Sequence, residues 1–147
     1  MRLLVDTHCW LWISSAPERF SFGVHQRLLD PRVELLVSAV VAWEIAIKVQ
    51  IGKLDLPEPP AAYMAKRLER HGATALPIEH EHALRVGELP LHHRDPFDRL
   101  LVAQAQLLGA ALLTADHALA AYEVDLLWAG MEPEAQWISE PPGPDYG

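Results

Sequence analysis

Four acidic residues in this chain have positions that would let their carboxylates act together on one ligand: Asp6, Glu44, Asp98 and Asp116. Two carboxylates about 4 Å apart repel each other by roughly 4 kcal/mol at an effective dielectric constant near 20. The sequence near them offers no equally dense set of Lys or Arg to offset that repulsion. A hard divalent cation with oxygen ligands would offset it. Such a cation binds phosphate, lowers the pKa of an attacking water and stabilises a departing oxygen.

The elements predicted around these acids would bring them to one place. Asp6 follows the apolar run 2–5, which is short enough to be a buried strand. A second run, 35–38, leads to Glu44, and a third, 111–114, leads to Asp116, while Asp98 lies in the first turn of a strongly marked helix. Ligands of open parallel α/β sheets bind beyond the carboxyl ends of the strands. We therefore expect all four carboxylates at that edge of one sheet.

The alternation of strand and helix patterns along the chain predicts the fold class. Strands are expected at 2–5, 34–37, 74–78, 111–114 and 124–127, and helices at 8–14, 21–29, 40–50, 59–71, 80–88, 96–108 and 116–122. This order is typical of an α/β protein, here a three-layer α/β/α sandwich with a mostly parallel sheet of about five strands. Residues 1–128 are predicted to form that domain, and residues 129–147 an acidic, proline-rich C-terminal tail.

The composition limits the possible partners and the compartment. The net charge of the chain is −8. Residues 129–147 contain four acidic residues and no Lys or Arg, so the domain itself has a net charge of −4, which equals the charge of the four candidate site acids. A phosphate substrate is therefore compatible with this charge if divalent cations bind first. No apolar run approaches the roughly 18 residues of a membrane helix, and Asp6 interrupts the N-terminal one. A single cysteine, Cys9, permits no internal disulfide, so we expect a reduced, cytoplasmic setting without membrane association.

Each acid also has an ordinary structural explanation. Asp98 lies at the third position of its helix, where an acid favours the helix dipole. Asp6 and Asp116 could be turn residues, and Glu44 could pair with Lys48 on a solvated helix face for about 0.2–0.5 kcal/mol. Glu44 nevertheless lies among large apolar neighbours, and a partly buried carboxylate is costly unless it is paired or binds metal.

Four motifs carry a resemblance to a known family: Asp6-Thr7-His8, Trp43-Glu44-Ile45, the stretch LHHRDPFDRLLVAQA at 91–105, and Leu113-Thr114-Ala115-Asp116. In this order and spacing, from about Arg2 to Trp128, the chain resembles the PIN-domain ribonucleases. Within that group it is similar to the VapC-type toxins of bacterial toxin–antitoxin pairs. The tail beyond Trp128 lies outside the resemblance.

This resemblance implies a PIN-like fold and Mg²⁺- or Mn²⁺-dependent cleavage of RNA that leaves 5′-phosphates. It implies that Asp6, Glu44, Asp98 and Asp116 are the catalytic, metal-binding acids. Asp95 matches the same motif but precedes the helix, so we interpret it as the helix cap and Asp98 as the ligand. The resemblance also implies neutralisation by a cognate antitoxin, whose basic or apolar segment would lie across the site.

For other polar and aromatic residues near the motifs, the sequence gives weaker evidence of a functional role. Arg94 and Arg99 flank the acids and are candidate phosphate contacts, although solvated roles are equally compatible. A zinc site at His92 and His93 is disfavoured, because adjacent histidines point in different directions and no cysteine pair accompanies them. For the remaining candidates the local pattern favours structural roles: N-caps or strand-end turns for Thr7, Ser38 and Thr114, and core positions for Trp10, Trp12, Trp43 and Cys9.

Two alternative functions remain open on the residues alone. A phosphotransfer domain would also place acids at strand ends, but it would want a second Asp beside Asp6 and a late Lys, and no Lys follows Lys66. A catalytically inert binding module is the other alternative, which four intact acids disfavour. The content of Trp and Leu, with an acidic pocket that needs cover, leads us to expect a homodimer that binds an antitoxin.

Overall fold

The computed structural model describes residues 1–130. In chain order the regular elements are β1 (Arg2–Val5), α1 (Thr7–Ser15), α2 (Phe22–Leu29), β2 (Glu34–Ser38), α3 (Ala39–Gln50), α4 (Pro60–Arg70), β3 (Thr74–Leu76), α5 (His80–Val86), α6 (Pro96–Leu108), β4 (Ala111–Thr114) and β5 (Leu126–Trp128). Short 3₁₀ turns lie at Pro17–Arg19 and His117–Ala121.

The five strands form one parallel sheet in the order β3-β2-β1-β4-β5. The predicted α/β sandwich with a parallel sheet of about five strands is thereby confirmed. The chain builds outward from β1 to β2 and β3, and then returns to the other side of β1 with β4 and β5. The strand order thus reverses between β1 and β4, which is where ligands bind in open α/β sheets.

The inner strands are apolar because helices cover them. Leu3 and Leu4 of β1, and Leu112 and Leu113 of β4, have no exposed surface. Parallel strands that are buried on both faces read as continuous apolar runs, so the short runs in the sequence identify them well. β3 is an edge strand and ends at Leu76, directly before Pro77, a residue that cannot donate to a strand ladder.

Local capping determines where several helices begin and end. Asp6 caps α1, Ser38 caps α3 and Asp95 caps α6, each through a side-chain oxygen that accepts a backbone N–H. The helix α6 ends at Gly109, whose positive φ of 62° is available to glycine without strain. The predicted caps at Ser38 and Asp95 are therefore confirmed.

Some predicted boundaries and environments differ from the structure. The segment expected as a helix at 116–122 is a 3₁₀ turn at His117–Ala121, and the last strand begins at Leu126 rather than at residue 124, because its pairing with β4 starts at Leu112. The prediction of a core position holds for Trp10, but it is wrong for Trp43, which is 54% exposed. Packing against distant elements decides the exposure of an aromatic side chain.

The end of the described chain still packs against the domain. Ala129 is fully buried, its N–H donates to the Thr114 carbonyl, and its carbonyl accepts the N–H of Ser21. The predicted tail lies outside the described residues from residue 131 onward. Among residues 1–130, no helix has the length and apolarity needed to cross a membrane.

Candidate functional site

The carboxyl edge of β1 and β4 carries two of the candidate acids. Asp6 directly follows β1, and Asp116 follows β4 after Ala115. The two strands are paired, and the Asp6 N–H donates to the carbonyl of Leu113 at 3.1 Å. Both acids therefore lie at the point where the strand order reverses.

Asp6 is held by the first turn of α1. Its Oδ1 accepts the N–H of Cys9 at 2.8 Å, and only 3% of the residue is exposed. Since Asp6 ends the central strand of the sheet and caps a helix, its carboxylate has a fixed position.

Glu44 points inward from α3 and is 1% exposed. The Thr7 hydroxyl donates to its Oε1 at 2.6 Å, whereas its Oε2 is buried without a hydrogen-bond partner. Burial raises the pKa of the Glu44 carboxyl to about 7; the charges of Asp95 and Asp6 add to the rise, and Thr7 and Lys48 oppose it. A bound cation would supply the partner that this buried carboxylate oxygen lacks.

Two sequence interpretations are wrong at this point. Lys48 is 4% exposed and lies near a buried Glu44, so the two do not form a solvated surface pair. Thr7 is not an N-cap; it is the first residue of α1, and its hydroxyl binds Glu44 instead. The expectation of a turn role holds for Thr114, whose Oγ1 accepts the N–H of Asp116.

Asp98 shows most clearly that the acids share one electrostatic environment. Burial, followed by the charges of Asp95, Asp6, Asp116 and Glu44, raises the pKa of the Asp98 carboxyl to about 9. A carboxyl group among like charges resists ionisation unless a cation is present. The charges of Asp6, Glu44 and Asp116, together with that of Asp95, therefore all act on Asp98.

His93 also belongs to this cluster, and the sequence analysis did not identify it as a site residue. Its Nε2 lies 3.0 Å from Asp116 Oδ2 and 3.5 Å from Asp98 Oδ2. His92 turns away, with its ring 5.1 Å from the ring of Tyr122, so the two histidines do diverge as expected. The available signal in the sequence was a histidine two residues before the cap of the helix that carries Asp98.

The two arginines near the acids have different surroundings. Arg94 is exposed. Arg99 is half-buried, and its Nη2 donates to the carbonyls of Val86 at 3.1 Å and Leu89 at 3.2 Å. The guanidinium of Arg99 therefore joins α6 to the end of α5.

The donors of this site suit a hard divalent cation. They are carboxylate oxygens, beside which lies one imidazole nitrogen. One N or O atom each of His93, Asp98 and Asp116 lie within 4.8 Å of one another. A bound cation would favour the ionised form of Asp98, whose pKa is raised, and would give the buried Oε2 of Glu44 a partner. Mg²⁺ and Mn²⁺ prefer such oxygen ligands.

Comparisons with known proteins match most of the chain. The sequence model of the PIN domain family matches residues 3–125. Ribonuclease VapC16 of Mycobacterium tuberculosis is 47% identical over 53 residues, which are 36% of this chain and 38% of that protein. Ribonuclease VapC22 of the same organism is 29% identical over 117 residues, 80% of this chain and 88% of that protein.

Solved structures share the fold. VapBC2 from Rickettsia felis, bound to a DNA fragment from its promoter, has a TM-score of 0.67 at 17% identity, covering 88% of this chain and 99% of that one. DNA-bound VapBC from Salmonella typhimurium has a TM-score of 0.63 at 15% identity, covering 87% and 98%. At these identities the likeness establishes the architecture.

Proposed function

The chain belongs to the PIN domain family, and from this premise we propose that it is a metal-dependent endoribonuclease, the toxin of a toxin–antitoxin pair. The observation that carries the proposal is the set of carboxylates around Asp98, whose pKa rises to about 9 because burial and four neighbouring acids oppose its charge. An RNA phosphodiester is a suitable substrate for a site that gathers cations between carboxylates.

We assign the catalytic and metal-binding roles to Asp6, Glu44, Asp98 and Asp116. When bound, Mg²⁺ or Mn²⁺ supplies Lewis-acid charge for the phosphate and a more acidic water. The four carboxylates would bind the cation. The Thr7 hydroxyl donates to Oε1 of Glu44 and so leaves Oε2 available to the cation. Water attack on phosphorus with cleavage of the bond to the 3′-oxygen, which the PIN-domain resemblance implies, would leave a 5′-phosphate on one product and a 3′-hydroxyl on the other.

RNA contacts outside the acids are part of the proposal. Arg94 is exposed beside the site and suits a phosphate contact. The exposed ring of Trp43 lies next to Glu44 in the chain and 5.1 Å from the ring of Phe97, the neighbour of Asp98. Stacking of one base on such a ring contributes about 1–3 kcal/mol. A contact between Arg99 and a phosphate would compete with the hydrogen bonds that its guanidinium donates to the carbonyls of Val86 and Leu89.

Partners and compartment follow from the same proposal. The matched structures from Rickettsia felis and Salmonella typhimurium are VapBC proteins, which supports a cognate antitoxin for this chain. A homodimer in the cytoplasm is the expected assembly. The acidic, proline-rich tail predicted at 129–147 is proposed to begin after Ala129, because Ala129 is buried and hydrogen-bonded to the domain.

The test of the proposed function is Asp6→Asn. The amide keeps an oxygen for the Cys9 N–H, and Asn caps helices as well as Asp does, so the fold should remain intact. The charge that holds the cation is lost. We expect the variant to lose Mg²⁺- or Mn²⁺-dependent cleavage of total RNA, while its circular dichroism spectrum matches the parent.

Thermal melts with and without metal give an independent readout. Metal at 100 times its dissociation constant should stabilise the parent by about 2.7 kcal/mol, and Asp6→Asn should lose most of this gain. Asp125→Asn is a matched control, because this exposed aspartate precedes β5 and so lies at the opposite edge of the sheet. Cleavage by Asp6→Asn at the parent rate would overturn the assignment, and a parent that never cleaves RNA with metal would favour the inert binding module.

A further inference from the structure

His93 lies in the segment between α5 and α6 and contacts two of the site acids. Its Nε2 is 3.0 Å from Asp116 Oδ2 and 3.5 Å from Asp98 Oδ2, and its side chain is 19% exposed. Two roles are compatible with these distances. The nitrogen is either a metal ligand, which needs a lone pair on Nε2, or a hydrogen-bond donor to the carboxylates, which needs a proton there.

The other ring nitrogen decides between the two roles. His93 Nδ1 accepts the backbone N–H of Asp95 at 3.0 Å, so Nδ1 carries the lone pair. The proton of the neutral ring is therefore on Nε2, which makes Nε2 a donor to Asp116. A cation on Nε2 would move this proton to Nδ1, where it would oppose the Asp95 N–H.

The surroundings fix the ring and its carboxylate partner. The backbone N–H of His93 donates to the hydroxyl of Tyr122 at 2.9 Å, and Tyr122 is 5% exposed. On the other side, Asp116 Oδ1 accepts the N–H of Ala118 at 3.0 Å. The Asp116 carboxylate is thus held between a backbone donor and the imidazole.

We propose that His93 is a positioning residue that donates from Nε2 to Asp116, and that it does not coordinate the cation. The proposal rests on the metal-dependent function above. The His93 ring then connects Asp116, which follows β4, to Asp95, which caps α6, the helix that carries Asp98. Partners of this kind fix the orientation of metal ligands, and their loss lowers metal affinity by about 10–100-fold.

Two substitutions at this position separate the two ring nitrogens. In His93→Gln the amide nitrogen takes the place of Nε2 and keeps the donor, while in His93→Asn the amide oxygen takes the place of Nδ1 and the donor is lost. By calorimetric titration with Mn²⁺, we expect His93→Asn to bind about 10–100-fold more weakly and His93→Gln to stay much closer to the parent. His92→Asn, which removes the neighbouring exposed ring, is the matched control and should bind as the parent does.

RNA cleavage gives a second readout. Activity of His93→Asn should recover as the Mn²⁺ concentration is raised, because the ligands remain and only their placement suffers. A loss that excess Mn²⁺ does not reverse would contradict a positioning role.

Spectroscopy distinguishes a failure of this proposal from a failure of the proposed function. Long-range ¹⁵N–¹H NMR of the metal-free parent should show His93 protonated on Nε2, and a proton on Nδ1 would overturn the proposal whether or not metal binds. Directly coordinated ¹⁴N in the electron spin-echo spectrum of bound Mn²⁺, or equal losses of affinity in both variants, would make His93 a ligand. A parent protein that binds no Mn²⁺ contradicts the metal-dependent function, and the positioning role falls with it.

Discussion

At the scale of single residues, two carboxyl groups of the site, those of Asp98 and Glu44, ionise less readily than exposed ones. Asp98 and Glu44 have raised pKa values, about 9 and about 7, chiefly because they are buried and secondly because other acids lie nearby. Asp98 does not cap its helix; Asp95 does so by accepting the N–H groups of Phe97 and Asp98. The acid at the third position of α6 therefore contributes like-charge repulsion to the metal-free protein.

This repulsion predicts the pH dependence of stability in EDTA. A carboxyl group with a raised pKa keeps its proton to a higher pH in the folded state than in the unfolded state, so the free energy of unfolding falls as pH rises. The stability that both protonated groups contribute below about pH 4 is lost as the pH rises through about 7 for Glu44 and about 9 for Asp98. Melting temperatures should fall between pH 5 and pH 9, and Mg²⁺ or Mn²⁺ should reduce the fall.

Substitution of Asp98 tests the same cause. Asp98→Ala should be neutral at pH 5 and stabilising at pH 9 in EDTA, because repulsion is relieved where the carboxylate would ionise. Loss of a true N-cap, as in Ser21→Ala at the start of α2, should cost about 0.5–2 kcal/mol at either pH. A similar pH-independent cost for Asp98→Ala would assign it a capping role instead.

At the scale of elements, the connection from α5 to α6 determines how Asp98 and His93 are placed. Arg99 in the first turns of α6 donates to carbonyls at Val86 and Leu89, and so fixes the end of α5 against α6. Arg94, in the intervening segment, is exposed. Two arginines five residues apart thus belong to different environments.

The two arginines should therefore respond differently to removal. Arg99→Ala should lower the free energy of unfolding by about 1.5–3 kcal/mol without RNA or metal, because charge-assisted hydrogen bonds are lost. Arg94→Ala should leave stability unchanged and weaken RNA binding. The slope of log affinity against log salt concentration should become shallower by about one. Chemical denaturation and RNA binding at several salt concentrations measure both effects, and unchanged RNA binding by Arg94→Ala would remove it from the substrate contacts.

At the scale of the whole molecule, the surface retains large apolar side chains. Phe22 and Leu29 at the two ends of α2 are 77% and 78% exposed, and Leu84 and Leu91 are 72% and 87% exposed. Exposed apolar side chains are compatible with association, although single ones are normal on protein surfaces.

The proposed assembly has a direct measurement. Light scattering should give twice the chain mass of 16.4 kDa for the protein alone, and a larger complex with its antitoxin. The antitoxin should also inhibit RNA cleavage. A monomer at high micromolar concentration, unchanged by the product of the neighbouring gene, would contradict the homodimer and the antitoxin partner together.

The sequence by itself determined the elements and the edge at which the acids meet. Buried parallel strands are continuous apolar runs, and caps such as Ser38 and Asp95 act on N–H groups two or three residues away. Both signals are local, so they can be read without the fold. The strand-end placement of Asp6 and Asp116 followed from the same local patterns.

Only the tertiary structure decided what these side chains meet. The bond from Thr7 to Glu44 joins residues 37 positions apart, and that from His93 to Asp116 joins residues 23 positions apart. The exposure of Trp43 and the carbonyl partners of Arg99 likewise depend on which helices pack together. Packing sets such contacts, and it depends on the whole chain at once, so the residue types near Asp98 could not reveal the contact between His93 and Asp116.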